Sequence, residues 1–142
     1  MKSTKYDALK LENQLCFPLY AAAKEVVRRY KPFLDPLGLT YTQYITMMVM
    51  WEHKELTVSQ IGEYVHLDTG TLTPMLKKME SNGLIFRQRG RKDERETIVS
   101  ITPEGKALRK QAIEVPAKIS SCVNLTLDEA LQLKSLLEKI II

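Results

Sequence analysis

Cysteine, histidine and long apolar runs are all scarce in this chain of 142 residues, and each scarcity removes a class of protein. Two cysteines, Cys16 and Cys122, are too few and too far apart for a disulfide framework. Two isolated histidines, His53 and His66, show no metal-ligand spacing, so neither a metal site nor a bound cofactor is expected. No stretch reaches the roughly 18 apolar residues of a transmembrane helix. The N-terminal MKSTKYDALKLENQ has no apolar core of a signal peptide. The expectation is a cytoplasmic protein with free thiols and no membrane partner. Repeats and low-complexity segments are also absent. So is the alternation of strand and helix around a cysteine that a thioredoxin-like thiol peroxidase would need, and the chain is not read as an enzyme.

What is present is ordinary in amount and unusual in placement. At 44% hydrophobic and 27% charged residues, the composition is that of one soluble globular domain. The net charge of +4 is confined to one segment. Between Lys77 and Arg95, seven basic residues face three acids, and the rest of the chain sums to zero. A random basic run is most often a solvated face. A single basic patch on a neutral body is also the footprint of a nucleic-acid binder.

Local signals divide the chain. Thr40 to Gln43, Thr57 to Gln60 and Thr126 to Glu129 each have the spacing of a capping box. Thr102-Pro103 marks a fourth helix start. A first helix is expected from about Tyr6 to about Phe33, kinked at Pro18, followed by a turn at Leu34–Gly38. The next helix, about Tyr41 to Glu52, is apolar almost all round and should be buried. Another runs from about Val58 to Val65. A fourth starts between Asp68 and Pro74 and ends at Gly83. LIFRQRG and ETIVSIT then read as a two-stranded ribbon with a charged tip. A helix broken at Val115-Pro116 and a last helix after Thr126 follow. The fold class is mainly α with a small β-wing, a winged helix-turn-helix flanked by terminal helices. As one domain of residues 1–142, it has a winged lobe at 39–102 and dimerisation helices at 1–38 and 103–142. The end helices have apolar faces and no second domain to cover them, so a homodimer is expected, which also suits a palindrome in double-stranded DNA.

On the fourth helix Leu72, Leu76 and Met79 form an inward stripe. This leaves Thr71, Thr73, Pro74, Lys77 and Lys78 facing out, with Thr69 at the helix start. Small hydroxyl and methyl groups suit base edges in the major groove, and the lysines suit phosphate. Arg87, Arg89, Arg91, Lys92 and Arg95 of the ribbon suit an adjacent minor groove, with Asp93 two residues before Arg95 to orient its guanidinium.

The stretch LDTGTLTPMLKKMESNGLIFRQRGRKDERETIVSITPEGKAL resembles the MarR family of winged-helix repressors. The resemblance covers nearly the whole chain and implies a triangular homodimer whose lobes each read half a palindrome. The segments LENQLCFPLYAAAKEVVRRYKPFL and LGLTYTQYITMMVMWE, with the Leu67–Pro74 stretch, are similar to its organic hydroperoxide resistance regulators, the OhrR branch. That resemblance implies that Cys16 is the peroxide-reactive thiol, that Tyr30 and Tyr41 hydrogen-bond it from the other subunit, and that an organic hydroperoxide is the inducer. Spacing places Tyr20 on the helix face of Cys16. Tyr30, fourteen residues on, sits about 21 Å along the axis and out of reach within one helix.

The resemblance also suggests Cys122 as the resolving thiol of an intersubunit disulfide. A low-molecular-weight thiol could complete the switch instead, with Cys122 a small buried residue, and the sequence weighs the two evenly. Two other readings stand beside the redox repressor. One is a repressor relieved by a small aromatic ligand in the dimer cleft, with Cys16 unimportant. The other is an architectural DNA-binding protein with no inducer, weak sequence preference and a steep salt dependence.

Overall fold

Each of the three threonine boxes opens a helix. The computed structural model describes residues 3–141, so the outermost ends of the two terminal segments, residues 1, 2 and 142, lie outside the described residues. In chain order the elements are α1 (Cys16–Leu34), α2 (Tyr41–His53), β1 (Glu55–Thr57), α3 (Val58–Val65), α4 (Thr69–Ser81), β2 (Ile85–Arg89), β3 (Thr97–Ile101), α5 (Pro103–Ala112), α6 (Val115–Ser120) and α7 (Leu127–Ile140). At α2, α3 and α7 the threonine hydroxyl accepts the N–H three residues on, and Gln43, Gln60 or Glu129 reaches back to the cap N–H. Two orphan donors are thereby satisfied at each start. Thr102 caps α5 with Pro103 as its first residue. Gly83 follows α4 at φ +81°, the left-handed conformation that glycine enters without a Cβ penalty.

Two elements differ from the sequence expectation. The first helix starts at Cys16 rather than near Tyr6, and residues before it form short 3-10 turns at Asp7–Leu9 and Leu11–Asn13. Pro18 is the third residue of α1. Its missing N–H is one that the first turn leaves unbonded in any case, so Pro18 sits in the opening of the helix instead of kinking it. The ribbon is also not two-stranded. β1 pairs antiparallel with β3, giving the order β1-β3-β2. With three residues ending in a cap threonine, β1 is too short to show a two-residue period.

A single core cluster lies under the winged lobe. Leu34, Leu39, Tyr44, Met47, Met50, Ile61, Leu72, Leu76, Met79, Ile85 and Val99 all belong to it. The expected buried helix is indeed α2, although Met48 on it is 45% exposed. The outer helices behave differently. Leu34 is the one buried residue of α1, and none of α7 is buried. Among the described residues, no helix is long and apolar enough to cross a membrane.

Candidate DNA interface and thiol site

Asp68 sets the start of α4. Its carboxylate accepts the Thr71 N–H at 2.7 Å, and that bond draws the carboxyl below its usual range. The charge offsets part of the helix dipole. Past this cap, Leu72, Leu76 and Met79 are fully buried, and Thr69, Thr71, Pro74, Lys77 and Lys78 face solvent. Thr73, expected on the outward face, is partly buried, and its hydroxyl donates to the Thr69 carbonyl at 2.8 Å. The helix surface offered to a duplex is thus small hydroxyls at its start and lysines in its second half.

The wing supplies the rest of the basic face. Arg89, Arg91, Lys92 and Arg95 are exposed. A Cβ at Gly90 would lie 2.4 Å from the Asp93 carbonyl oxygen, so the tip closes this tightly because residue 90 has no side chain. Asp93 does orient Arg95, accepting its backbone N–H at 3.0 Å and its Nε at 3.3 Å. The two meet across a turn rather than along a strand, since residues 90–96 lie between β2 and β3. The Arg95 side chain is 92% exposed, so the pair adds little to stability and acts by limiting where the guanidinium points. Arg87 is different. It turns back onto Glu80 of α4 and is partly buried. It lines a cleft of about 180 Å³ between α3, α4 and the wing, beside Thr69, Thr73 and Arg95.

The thiol lies at one end of α1, and a cluster of tyrosines from α1 and α2 lies at the other. Cys16 is the first residue of that helix and is exposed. Tyr20, one turn further, is also exposed, with Lys24 Nζ 5.3 Å from its ring centre. Tyr30 packs on Tyr41 with ring centres 4.9 Å apart and on Tyr44 at 5.7 Å, and Tyr41 and Tyr44 are 6.4 Å apart. Burial pushes the Tyr30 hydroxyl up to about 12 and raises Tyr44 as well, with the neighbouring phenols adding to both shifts. Arg29 Nη1 donates to the Cys122 carbonyl at 2.6 Å, which ties the loop after α6 to this same end of α1. Cys122 is exposed, not the small buried residue that one sequence reading allowed. Cys16 lies about 20 Å along the helix from Arg29.

Of the residues singled out in the sequence, the structure brings together Tyr30 and Tyr41, ties the Cys122 carbonyl to Arg29, and leaves Cys16 and Tyr20 at the far end of α1. Sequence reasoning missed Tyr44, Asp68, Glu80 and Arg29. Tyr44 had a signal in its spacing of three from Tyr41, and Asp68 in its place before a threonine-rich helix start. Glu80 and Arg29 had none, because each acts on a partner that only folding delivers.

The family described as transcriptional regulator SarA/Rot matches residues 28–112. The organic hydroperoxide resistance transcriptional regulator of Bacillus subtilis is 48% identical over 133 residues, which span 94% of this chain and 90% of that protein. The chain belongs to the organic hydroperoxide resistance branch of the MarR family. Among solved structures, reduced AbfR of Staphylococcus epidermidis bound to DNA superposes with a TM-score of 0.82 at 33% identity, covering 96% of this chain and 94% of that one. The disulfide form of AbfR gives 0.68 at the same identity, covering 97% of each chain. Escherichia coli MarR with operator DNA shares the fold at a TM-score of 0.80 and 23% identity, covering 99% of this chain and all of that one.

Proposed function

We propose that this chain is a cytoplasmic homodimeric repressor that holds palindromic duplex DNA while Cys16 is reduced and releases it when an organic hydroperoxide oxidises that thiol. The observation that carries the reading is the separation along α1. Cys16 stands at one end, and Tyr30, Tyr41, Tyr44 and the Cys122 loop stand at the other. An antiparallel pairing of two α1 helices, with α5, α6 and α7 completing the dimerisation surface, would bring each thiol to the tyrosines of the second copy. The relationship to the Bacillus subtilis regulator supports the same reading.

The chemistry balances without a cofactor. The Cys16 thiolate attacks the distal peroxide oxygen, the O–O bond breaks, and the alkoxide leaves as an alcohol after taking a proton. Cys16 becomes a sulfenic acid. A second thiol, Cys122 of the other copy or a small soluble thiol, then attacks its sulfur, expels water and forms a disulfide. Either product is larger than a thiolate seated among hydroxyls and no longer carries its charge. It would part the tyrosine contacts and shift the spacing of the two reading helices, on which binding to a palindrome depends. On this reading Thr69 and Thr71 face base edges, and Lys77, Lys78, Arg89, Arg91, Lys92 and Arg95 serve phosphates and the minor groove.

The test is binding to a duplex selected by the reduced protein from a randomised library, for wild type and Cys16→Ser, before and after one equivalent of cumene hydroperoxide, with intact mass read in parallel. Wild type should lose at least about a hundredfold in affinity, roughly 3 kcal/mol, while Cys16→Ser stays bound. The mass assigns Cys122 or a small thiol as the partner. A second reading has its own observation: Tyr44, Met48, Trp51, Ala112, Ile113 and Pro116 line an apolar groove of about 280 Å³. If a small phenolic acid releases both proteins while hydroperoxide releases neither, Cys16 is structural and the non-covalent reading replaces the redox one.

A further inference from the structure

Arg87 stands in the wing, among arginines that face solvent, yet it is turned inward. Glu80, in the last turn of α4, accepts the Arg87 backbone N–H on Oε2 at 2.7 Å, and Arg87 Nη2 and Nε on Oε1 at 3.2 and 3.4 Å. β2 is an edge strand, so this N–H points away from β3 and would otherwise lack a partner. One carboxylate therefore ties the reading helix to the wing through both the main chain and the side chain. The side chains are 36% and 22% exposed, which makes the pair less open to solvent than the Asp93–Arg95 pair at the tip. The Nε and Nη2 edge of the Arg87 guanidinium is thereby committed to this carboxylate.

We propose that Glu80 and Arg87 are positioning residues that fix the angle between α4 and the wing, so that helix and wing tip engage one duplex in a single register. Arg87 on this account makes no phosphate contact of its own. The inference rests on the duplex-DNA reading above. Reading a major groove with α4 and an adjacent minor groove with the tip requires both contacts at once. A rigid link avoids the ordering cost that a loose wing would meet on binding. The segment between α4 and β2 is short, with Gly83 left-handed and its carbonyl accepting the Thr102 hydroxyl at 2.6 Å, and the side-chain clamp adds the outer edge of β2 to that link.

The experiment measures binding of wild type, Glu80→Ala, Glu80→Gln, Arg87→Ala and the Glu80→Ala/Arg87→Ala double variant. The probes are the library-selected duplex and a scrambled duplex of equal length, from about 50 to about 200 mM salt. Glu80→Ala and Arg87→Ala should each weaken the selected complex about tenfold, with the double variant no weaker than either alone. Binding to the scrambled duplex and the salt slope should stay at wild-type values. Glu80→Gln keeps an acceptor for the Arg87 N–H and should lose less, and it carries the test if Glu80→Ala melts early. The proposal is overturned if Arg87→Ala lowers the salt slope by about one while Glu80→Ala binds normally, the signature of a phosphate contact. It is equally overturned if the variants lose both duplexes in proportion, or neither. A wild type with no preference between the duplexes would remove the DNA reading and the clamp with it. A wild type that discriminates beside unaffected variants would remove the clamp alone.

Discussion

The winged lobe and the terminal helices draw on the same apolar residue types and dispose of them in opposite ways. In the lobe Met47, Met50, Ile61, Leu72, Leu76 and Met79 are 0% exposed. On α7, Leu127, Leu131 and Leu136 are 76%, 56% and 57% exposed. Yet α7 is as well begun as any helix here, with a complete capping box at Thr126. A helix of 14 residues is marginal in water by itself, so packing must stabilise it, and the dimer reading supplies that packing from a second copy. The charges and thiols divide along the same line. The lobe arrives at DNA with Arg87 and Arg95 already held by carboxylates, whereas Cys16 stands open at the start of α1 and Cys122 in the loop after α6. The part that reads DNA is built within one chain, and on the proposed function the part assigned to sensing is completed by a second.

Substitutions can break this contrast from either side. The largest effect belongs to the lobe. Met47→Ala removes a side chain that is 0% exposed and should destabilise by about 2–5 kcal/mol in urea unfolding. A cost below about 1 kcal/mol would mean that α2 is not the centre of the core. Leu136→Glu probes the other side. Leu136 is 57% exposed in the chain, so a protein active as a monomer would tolerate the change within about 0.5 kcal/mol. The dimer reading expects sedimentation at the monomer mass and a concentration-independent melt, and an unchanged dimer would exclude α7 from the interface. A finer contrast compares two capping boxes. Thr57→Ala should cost the lobe about 1 kcal/mol in urea unfolding. Thr126→Ala should leave the lobe's unfolding midpoint unchanged and raise only the dimer dissociation constant, seen in a dilution series. Equal effects of the two on the lobe would mean that α7 packs within its own chain.

These contrasts also sort what the sequence could disclose. Helix starts were legible because a capping box is local: Thr40, Thr57 and Thr126 each find their partner three residues away. The inward stripe of Leu72, Leu76 and Met79 was legible because burial follows the helical period. Pro18 misled because a proline's effect depends on how far it lies from a helix start that nothing before Cys16 marks. β1 was hidden by its length. The site was legible in part. Tyr30 and Tyr41 came from a family resemblance, and the structure places their rings in contact. The inward turn of Arg87 was not legible, because a basic run in sequence looks the same whether its members face solvent or a carboxylate seven residues away. Composition gives the amount of charge, and only packing decides how much of it is free.

The smallest effect separates the two regions without changing stability at neutral pH. Tyr30 belongs to α1 but lies against α2, at the junction of lobe and outer helices, and its hydroxyl is pushed up to about 12 from an ordinary 10.0. The phenol is neutral in both folded and unfolded chains below pH 10, so nothing is gained or lost there. Above it the unfolded phenol ionises first, and the folded state holds the extra proton until about pH 12, so stability falls as pH rises through that window. Alkaline absorbance titration should find Tyr30 among the last of the six tyrosines to ionise, with that late step missing in Tyr30→Phe. The comparison sharpens in Leu136→Glu. Burial within one chain already accounts for this rise, so a second copy covering the Tyr30–Tyr41–Tyr44 cluster would delay the step further, and separating the subunits should bring it back to lower pH. If the step stays where it is, the cluster is shielded by its own chain alone, and the tyrosines are core rather than a seat for the other subunit's thiol. A hydroxyl that stays protonated so far into alkali remains a donor at every pH where a neighbouring thiol has become a thiolate, which is the state a peroxide-reactive cysteine needs stabilised.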